Sequence, residues 1–116
     1  MSDRTYIHFL QDILKMTNLI KSFTENITYE EFIRNDEKAF ATVKAIEMIA
    51  EAMKEIPENM RLNYPEIDWR GIIGMRNITT HQYWRIDYET IWEVIHSEIP
   101  QIASTVSIIL KNETEE

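Results

Sequence analysis

Residues 36–56, DEKAFATVKAIEMIAEAMKEI, set the architecture of this chain. Apolar side chains recur there at steps of three and four residues, which predicts one buried face of an α-helix. That face carries Phe40, Val43, Ile46, Ile49, Met53 and Ile56. Asn35 or Asp36 can cap the start of the helix, and Pro57 ends it because proline lacks the N–H that a further turn needs.

The same spacing extends toward the N-terminus and into the centre of the chain. It predicts an amphipathic helix from about Ser2 to Phe23, built on apolar residues three and four apart. Thr28-Tyr-Glu-Glu31 fits a capping box that opens a short helical piece. Residues 57–66 are predicted to be a connector, with a turn of helix around Asn59–Asn63.

Two further long helices are predicted in the C-terminal half. Pro65 suits the beginning of the third long helix, which is expected to fray around Thr79–Gln82. A fourth helix should start after Asp87, a candidate N-cap, and continue to Ile109. Pro100 lies inside that pattern and is expected to kink the helix or split it.

These elements predict an all-α fold, an up-and-down bundle of four long helices with short extra helical segments. The 116 residues are expected to form a single domain, 1–116. Only two Gly and three Pro argue against the many tight turns of a β-sandwich or barrel. No Cys is present, so disulfides and thiolate metal sites are excluded.

The charge distribution is uneven. The net charge of −8 argues against a general nucleic-acid coat, which would require phosphate neutralisation. From Arg61 to Arg85, however, the segment holds four Arg and no Lys against only Glu66 and Asp68. A small positive site on an acidic body remains open, as does docking of the acidic surface to a basic partner. No apolar run approaches the ~20 residues of a membrane span, and a signal-peptide core is missing, so we expect a soluble, cytoplasmic protein.

Residues 76–83, Arg-Asn-Ile-Thr-Thr-His-Gln-Tyr, carry the chemistry that the sequence suggests. The planar fork of Arg76 suits phosphate oxygens, and its charge does not titrate. His81 can carry a proton to or from a reacting oxygen near neutral pH. The plainer alternative is an exposed arginine on a helix and a histidine that satisfies the end of that helix.

In a regular helix Arg76 and His81 would be separated by about 7.5 Å along the axis and roughly 140° in direction. A joint site therefore requires the helix to end or loosen near Thr79–Thr80, where two β-branched residues disfavour its continuation. Gly71 and Gly74, just upstream, each cost about 1 kcal/mol inside a helix. Close approach of another helix is the expected reason for them.

The extended pattern around the motif resembles the HepT-type toxins of the HEPN superfamily. The resemblance lies in Arg-x4-His-x-Tyr together with Ile67–Asn77, which ends in Gly-Met-Arg-Asn, and with Ile86–Trp92. His8–Leu14 and Ala45–Ala52 are similar to the same family. The resemblance therefore covers nearly the whole chain.

Proteins of that family are small helical bundles that form homodimers, with two Arg-x4-6-His motifs meeting at the interface. The resemblance implies a metal-independent endoribonuclease that acts as the toxin of a type VII-like toxin–antitoxin pair. It implies Arg76 and His81 as the catalytic pair, Asn77 as their polar companion and Tyr83 as the residue that a minimal nucleotidyltransferase antitoxin modifies with AMP. Candidate RNA contacts are Arg70, Trp84 and Arg85. No cofactor is expected, and the scattered histidines suggest no metal site.

Three functions compete at this point. The first is the dimeric toxin ribonuclease. The second is a catalytically inactive helical module that only binds its nucleotidyltransferase partner. The third, a bundle that binds nucleotides in a pocket, has no Gly-rich phosphate loop to support it.

Overall fold

Seven helices form the part of the chain that the structure, a computed structural model, describes: residues 5–78 and 85–114. They are α1 (Thr5–Thr24), α2 (Tyr29–Arg34), α3 (Asp36–Lys54), α4 (Glu58–Leu62), α5 (Trp69–Ile73), α6 (Tyr88–Ser97) and α7 (Ile99–Thr114). These two ranges contain no strand, and the predicted all-α bundle is confirmed. No helix in them is long and apolar enough to cross a membrane.

The core lies between α1, α3 and α7, with α1 packed along both of the others. The side chains at its centre are fully buried: Leu10, Ile13 and Ile20 from α1, Val43, Ile46 and Ile49 from α3, and Ile102, Val106 and Ile109 from α7. Burying each such side chain is worth roughly 1.5–3 kcal/mol. The apolar periodicity of the sequence thus becomes the main stabilising contact of the fold.

The predicted starts of α2 and α3 are confirmed by their caps. The Thr28 hydroxyl accepts a hydrogen bond from the Glu31 N–H at 3.1 Å, and the Glu31 carboxylate accepts one from the Thr28 N–H at 2.8 Å. Asn35 Oδ1 accepts from the Lys38 N–H at 3.0 Å. Because these side chains satisfy N–H groups that have no partner within their helices, they fix where each helix begins.

Phe40 is an exception to the predicted buried face of α3. Its side chain is 51% exposed, whereas the other five predicted residues of that face are at most 1% exposed. Phe40 lies six residues before Ile46 and therefore about 120° away around the helix. The buried face instead includes Ala39, Ala45 and Ala50, whose small side chains let α3 approach its neighbours closely.

The third long helix does not start near Pro65, and that prediction is wrong. α5 begins only at Trp69, after Asp68. Asp68 Oδ1 accepts a hydrogen bond from the Gly71 N–H at 3.1 Å, which makes Asp68 the N-cap. The preceding connector turns instead, because the Tyr64 carbonyl accepts from the Ile67 N–H at 3.3 Å. The short helix predicted around Asn59–Asn63 is confirmed as α4.

The fourth helix starts at its predicted cap and is split at Pro100, as expected. α6 ends at Ser97, Glu98 forms a turn, and α7 begins at Ile99. Proline cannot donate the backbone hydrogen bond that would carry α6 onward. The chain bridges the break, since the Ile102 N–H donates to the Glu98 carbonyl at 2.9 Å.

An aromatic cluster joins α2 to α6. The ring of Phe32, which is fully buried, lies 5.1 Å from the ring of Trp92 and 6.2 Å from that of Tyr88, centre to centre. Tyr29 meets Trp92 edge-on at 5.9 Å. Such pairs add about 0.5–1.5 kcal/mol each beyond burial, and here they hold the start of α6 against the bundle.

Candidate active site

Trp69 anchors the segment that leads into the motif. Its indole N–H donates to the Tyr64 carbonyl at 2.9 Å, and the side chain is 7% exposed. Ile72, one turn later, is 2% exposed, and α5 packs on α3. With these two residues facing inward, Arg70 and Gly71 lie on the exposed side of α5.

Gly71 is needed for a different reason from the one predicted. A Cβ on this residue would lie 2.2 Å from Asp68 Oδ2, inside the carboxylate that caps α5. For Gly74 the nearest described atoms are the Gly71 carbonyl oxygen at 3.3 Å and the Arg70 carbonyl oxygen at 3.5 Å. Within the described residues no second helix approaches either glycine, and Gly71 leaves room for the local cap.

The helix loosens before Arg76, earlier than predicted. The Gly74 N–H still donates four residues back, to the Arg70 carbonyl at 3.1 Å. The Met75 N–H donates only three back, to Ile72 at 2.9 Å, and Arg76 does likewise to Ile73 at 3.2 Å. Residues 74–77 consequently form turns. The predicted break near Thr79–Thr80 lies outside the described residues.

Arg76 and Asn77 lie on this turn, where Arg76 is half-buried and Asn77 is exposed. Arg70 and Arg85 are both exposed. His81, Tyr83 and Trp84 fall within 79–84, outside the described residues. Of the predicted site residues the structure therefore describes Arg76 and Asn77, which are consecutive in the chain, and a joint Arg76–His81 site stays a prediction.

A cavity of about 210 Å³ lies between the turn that carries Arg76 and the start of α6. It is lined by Gly74, Met75, Ile78, Arg85, Ile86, Asp87, Thr90 and Ile91. Asp87 Oδ1 accepts from the Thr90 N–H at 3.2 Å, and Oδ2 accepts from the Thr90 hydroxyl at 2.8 Å. The hydrogen bond from the Thr90 hydroxyl, followed by that from its N–H, lowers the pKa of Asp87. An ionised carboxylate therefore caps α6 at the edge of this cavity.

Two of the three lysines on α3 form ion pairs. Lys44 and Lys54 pair with Glu47 and Glu51 at 3.2 and 3.5 Å. Arg61, Arg70, Arg76 and Arg85 make no ion pair with any carboxylate in 5–78 or 85–114. Arginines that have no carboxylate partner among the described residues keep their donors available to an external anion.

Arg61 is a residue that the sequence did not single out. Its Nε donates to the Ile56 carbonyl at 3.0 Å, which fixes the side chain beside α4. The signal that could have found it was the Lys-free basic segment from Arg61 to Arg85. Across the described ranges, no group of three or more His, Cys, Asp or Glu is arranged to hold a metal ion.

Comparison with known proteins shows similarity to a ribonuclease family. A family model described as "Ribonuclease HepT-like" matches residues 13–109. "Putative RNase MJ1216" of Methanocaldococcus jannaschii is 42% identical over 97% of this chain and 93% of its own length. "Probable ribonuclease HepT" of Thermococcus cleftensis is 34% identical over 85% of this chain and 90% of its own length. No solved structure gave a significant match.

Proposed function

The chain belongs to the HepT-like ribonuclease family of HEPN proteins, and we propose that it is a metal-independent endoribonuclease and the toxin of a toxin–antitoxin pair. The observation that carries the proposal is the family match over residues 13–109, which includes the whole Arg-x4-His-x-Tyr motif. Residues 1–116 are proposed to act as one domain.

The proposed reaction uses the ribose 2′-OH as its nucleophile. The 2′-oxygen loses its proton and bonds to phosphorus, the bond from phosphorus to the 5′-oxygen breaks, and the 5′-oxygen gains a proton. The products are a 2′,3′-cyclic phosphate and a 5′-hydroxyl. His81 serves as base or acid, and each proton-transfer role is worth roughly 10²–10⁴-fold in rate.

Arg76 stabilises the charge that develops on the phosphoryl oxygens. Its half-buried position on the turn and its lack of a described carboxylate partner support this role, because a guanidinium held in an ion pair would have to exchange partners. Asn77 is the polar companion on the same exposed turn. Arg70, Trp84 and Arg85 are proposed to contact the RNA.

Two protons must move in the reaction, and one motif supplies a single imidazole. A homodimer in which two motifs meet supplies two, one as base and one as acid. We therefore propose a composite site at a twofold interface, with His81 and Arg76 contributed by each subunit.

Tyr83 provides the proposed means of silencing. A minimal nucleotidyltransferase antitoxin would direct the Tyr83 oxygen onto the α-phosphorus of ATP, with release of pyrophosphate and loss of the phenolic proton. Because Tyr83 belongs to the same motif as Arg76 and His81, the resulting phosphodiester anion would compete with RNA for the cation. The antitoxin is thus proposed as both partner and regulator.

The nuclease is tested by incubating protein whose intact mass shows no AMP with total RNA in EDTA. We expect cleavage that leaves 5′-hydroxyl ends and that disappears in His81→Ala. Absence of cleavage by the unmodified wild-type protein would favour the alternative, an inactive helical module that only binds its nucleotidyltransferase partner.

The silencing step is tested with Tyr83→Phe. This variant should retain nuclease activity and gain no AMP when incubated with the antitoxin and ATP, whereas the wild-type protein gains one. An AMP adduct of unchanged extent on Tyr83→Phe, measured by intact mass, would refute Tyr83 as the modified residue.

A further inference from the structure

The cavity between the turn that carries Arg76 and the start of α6 is small and mostly apolar. Its volume of about 210 Å³ lies below the roughly 300–1,000 Å³ that is typical of pockets for drug-sized ligands, so it accommodates a single ring system. Ile91, which lines it, is 2% exposed. Met75, Ile78 and Ile86 are half-buried and pack against the core. These walls suit the face of an aromatic ring, which is itself apolar.

Arg85 and Asp87 add opposite charges to this cavity. Both are exposed, and no ion pair joins them in the described part of the chain. The two charges balance, so among the described lining residues there is no excess of cations that would select a phosphate. Instead the cavity offers a donor group and an acceptor group, on separate side chains, to a neutral polar ligand.

The Asp87 carboxylate keeps acceptor capacity beyond its role as the cap of α6. Its Oδ1 accepts a hydrogen bond from the Thr90 N–H at 3.2 Å, and its Oδ2 accepts one from the Thr90 hydroxyl at 2.8 Å. An ionised carboxylate has about four lone-pair sites. The bonds from Thr90 therefore hold the group in place and leave lone pairs for further N–H donors.

Guanine has hydrogen-bonding edges that match this pair of groups. Its N1–H and N2–H₂ are adjacent donors that a carboxylate can accept, and its O6 and N7 are adjacent acceptors that suit the fork of an arginine. Adenine, cytosine and uracil each present only one donor group on these edges. In single-stranded RNA the edges are not occupied by base pairing and can be read by side chains.

The position of the cavity favours a base of the RNA over a protein side chain as its occupant. Met75, which lines the cavity, directly precedes Arg76, the proposed partner of the scissile phosphate. In RNA each base is joined through its ribose to the phosphates on either side. A strand whose phosphate lies against Arg76 therefore brings a neighbouring base to this cavity.

We propose that the cavity binds a guanine base next to the scissile linkage, with Asp87 accepting from N1–H and N2–H₂ and Arg85 donating to O6 and N7. The inference rests on the proposed ribonuclease function and extends it, because it gives the enzyme a preferred nucleotide at its cleavage site.

The test compares single-stranded oligonucleotides of about six nucleotides that differ only in one central base within a uridine tract. Their sugars are 2′-O-methylated, so the nucleophile is absent and the strands stay intact. The full chain should bind the guanine oligonucleotide about fivefold to thirtyfold more tightly than the adenine one. Equal affinities for the two, or no binding of either, would overturn the proposal.

The role of Asp87 is tested with inosine, whose base is guanine without the N2 amino group. Wild-type protein should prefer the guanine oligonucleotide to the inosine one by about fivefold to tenfold. Asp87→Asn should remove most of this preference, because an amide presents an N–H₂ group where the carboxylate presents an oxygen. A preference that persists in Asp87→Asn would show that the base is bound elsewhere.

Asp68→Asn is the matched control for the loss of a cap. Asp68 caps α5 as Asp87 caps α6, but it does not line this cavity. The preference for guanine over inosine should therefore be unchanged in Asp68→Asn. A loss of preference in both variants would trace the effect to helix stability and refute the contact with Asp87.

The role of Arg85 is tested in the same way with 7-deazaguanine, which lacks the N7 acceptor. Wild-type protein should bind it about fivefold more weakly than guanine, and Arg85→Gln should abolish the difference. A variant that loses affinity for every oligonucleotide alike would place Arg85 on a phosphate and refute its contact with the base.

The binding measurements distinguish this proposal from the proposed nuclease. A guanine preference that Asp87→Asn abolishes, in a protein that cleaves no unmodified RNA, would refute the nuclease and leave the guanine site standing. Cleavage of RNA by a protein that binds all bases equally would do the reverse. If Asp87→Asn leaves RNA binding unchanged and abolishes binding of the antitoxin, a protein occupies the cavity and the guanine site is refuted.

Discussion

α3 and the α4–α5 region are neighbours in the bundle, yet ion pairs are formed on α3 and not by the arginines of α4 and α5 among the described residues. Along α3 two of the three lysines pair with glutamates three residues away, Lys44 with Glu47 and Lys54 with Glu51, whereas Lys38 has no ion pair among the described residues. In α4 and α5, Arg61 and Arg70 have no such pair among the described residues. The backbone differs as well, since α3 is one helix of 19 residues whereas α5 has five.

The residues that stabilise the fold therefore lie in a different part of the chain from the residues proposed to act on RNA. α3 buries ten of its residues and supports α1, α2 and α5. The turn after α5 carries Arg76 and Asn77 on an irregular backbone. We therefore expect changes on α3 to affect folding first, and changes on the turn to affect activity while folding is spared.

The largest expected effect comes from Ile46→Ala. Ile46 is fully buried on α3, and its truncation should lower the free energy of unfolding by about 2–5 kcal/mol, as lost burial and a cavity add. Phe40→Ala on the same helix is the control, because a side chain that is 51% exposed should cost far less. Urea denaturation measures both, and equal losses would contradict the assignment of the buried face.

Arg76→Gln should separate activity from stability. Loss of a charge-stabilising group is expected to lower kcat about 10²–10³-fold, while the free energy of unfolding should change by no more than about 0.5 kcal/mol. RNA cleavage measures kcat and urea denaturation measures the free energy of unfolding, both on the same preparation. A loss of activity that merely follows a loss of stability would show that Arg76 supports the fold instead.

Helices whose bounds depend on nearby residues could be predicted from the sequence, whereas the irregular region around α5 could not. α1, α3 and the split C-terminal helix follow from apolar periodicity, caps and Pro100, because each depends on neighbours within a few residues. The start of α5 did not follow, since it depends on the cap from Asp68 and on the bond between the Trp69 indole and the Tyr64 carbonyl. Arg76 and His81 were predicted as a pair from the motif, but their separation depends on the path of the residues between them, which no local pattern fixes.

The cap of α5 allows a sharper test of the irregular region. Asp68→Ala should lower the free energy of unfolding by about 1 kcal/mol. In the wild-type background Gly71→Ala should give little net change, because the lost cap offsets the roughly 0.5–1 kcal/mol that alanine gains over glycine in a helix. In the Asp68→Ala background Gly71→Ala should be stabilising by that amount, since the carboxylate that lies 2.2 Å from the new Cβ position is gone.

Urea denaturation of the four proteins gives the coupling directly. We expect the double variant to be more stable than the sum of the single changes by about 1 kcal/mol. An identical effect of Gly71→Ala in both backgrounds would mean that the glycine does not make room for the cap.

The smallest expected effect concerns Asp87, where the chain enters α6 from the side of the motif. Its pKa lies below the ordinary value of 3.8 because the Thr90 hydroxyl and N–H donate to the ionised form. A carboxyl group whose pKa is lowered by folding stabilises the protein fully at a pH above its pKa in the unfolded chain. This contribution is lost as the pH falls through its pKa in the folded protein.

Asp87→Asn keeps an acceptor for the Thr90 N–H but removes the charge. Its deficit in unfolding free energy should therefore be present at neutral pH and shrink below a pH of about 4. Thr90→Val removes the hydroxyl donor and should raise the pKa of Asp87 toward its ordinary value, as an NMR titration of the carboxyl group would detect. A deficit in Asp87→Asn that stays constant as the pH falls would show that the entry to α6 depends on the shape of the cap and not on its charge.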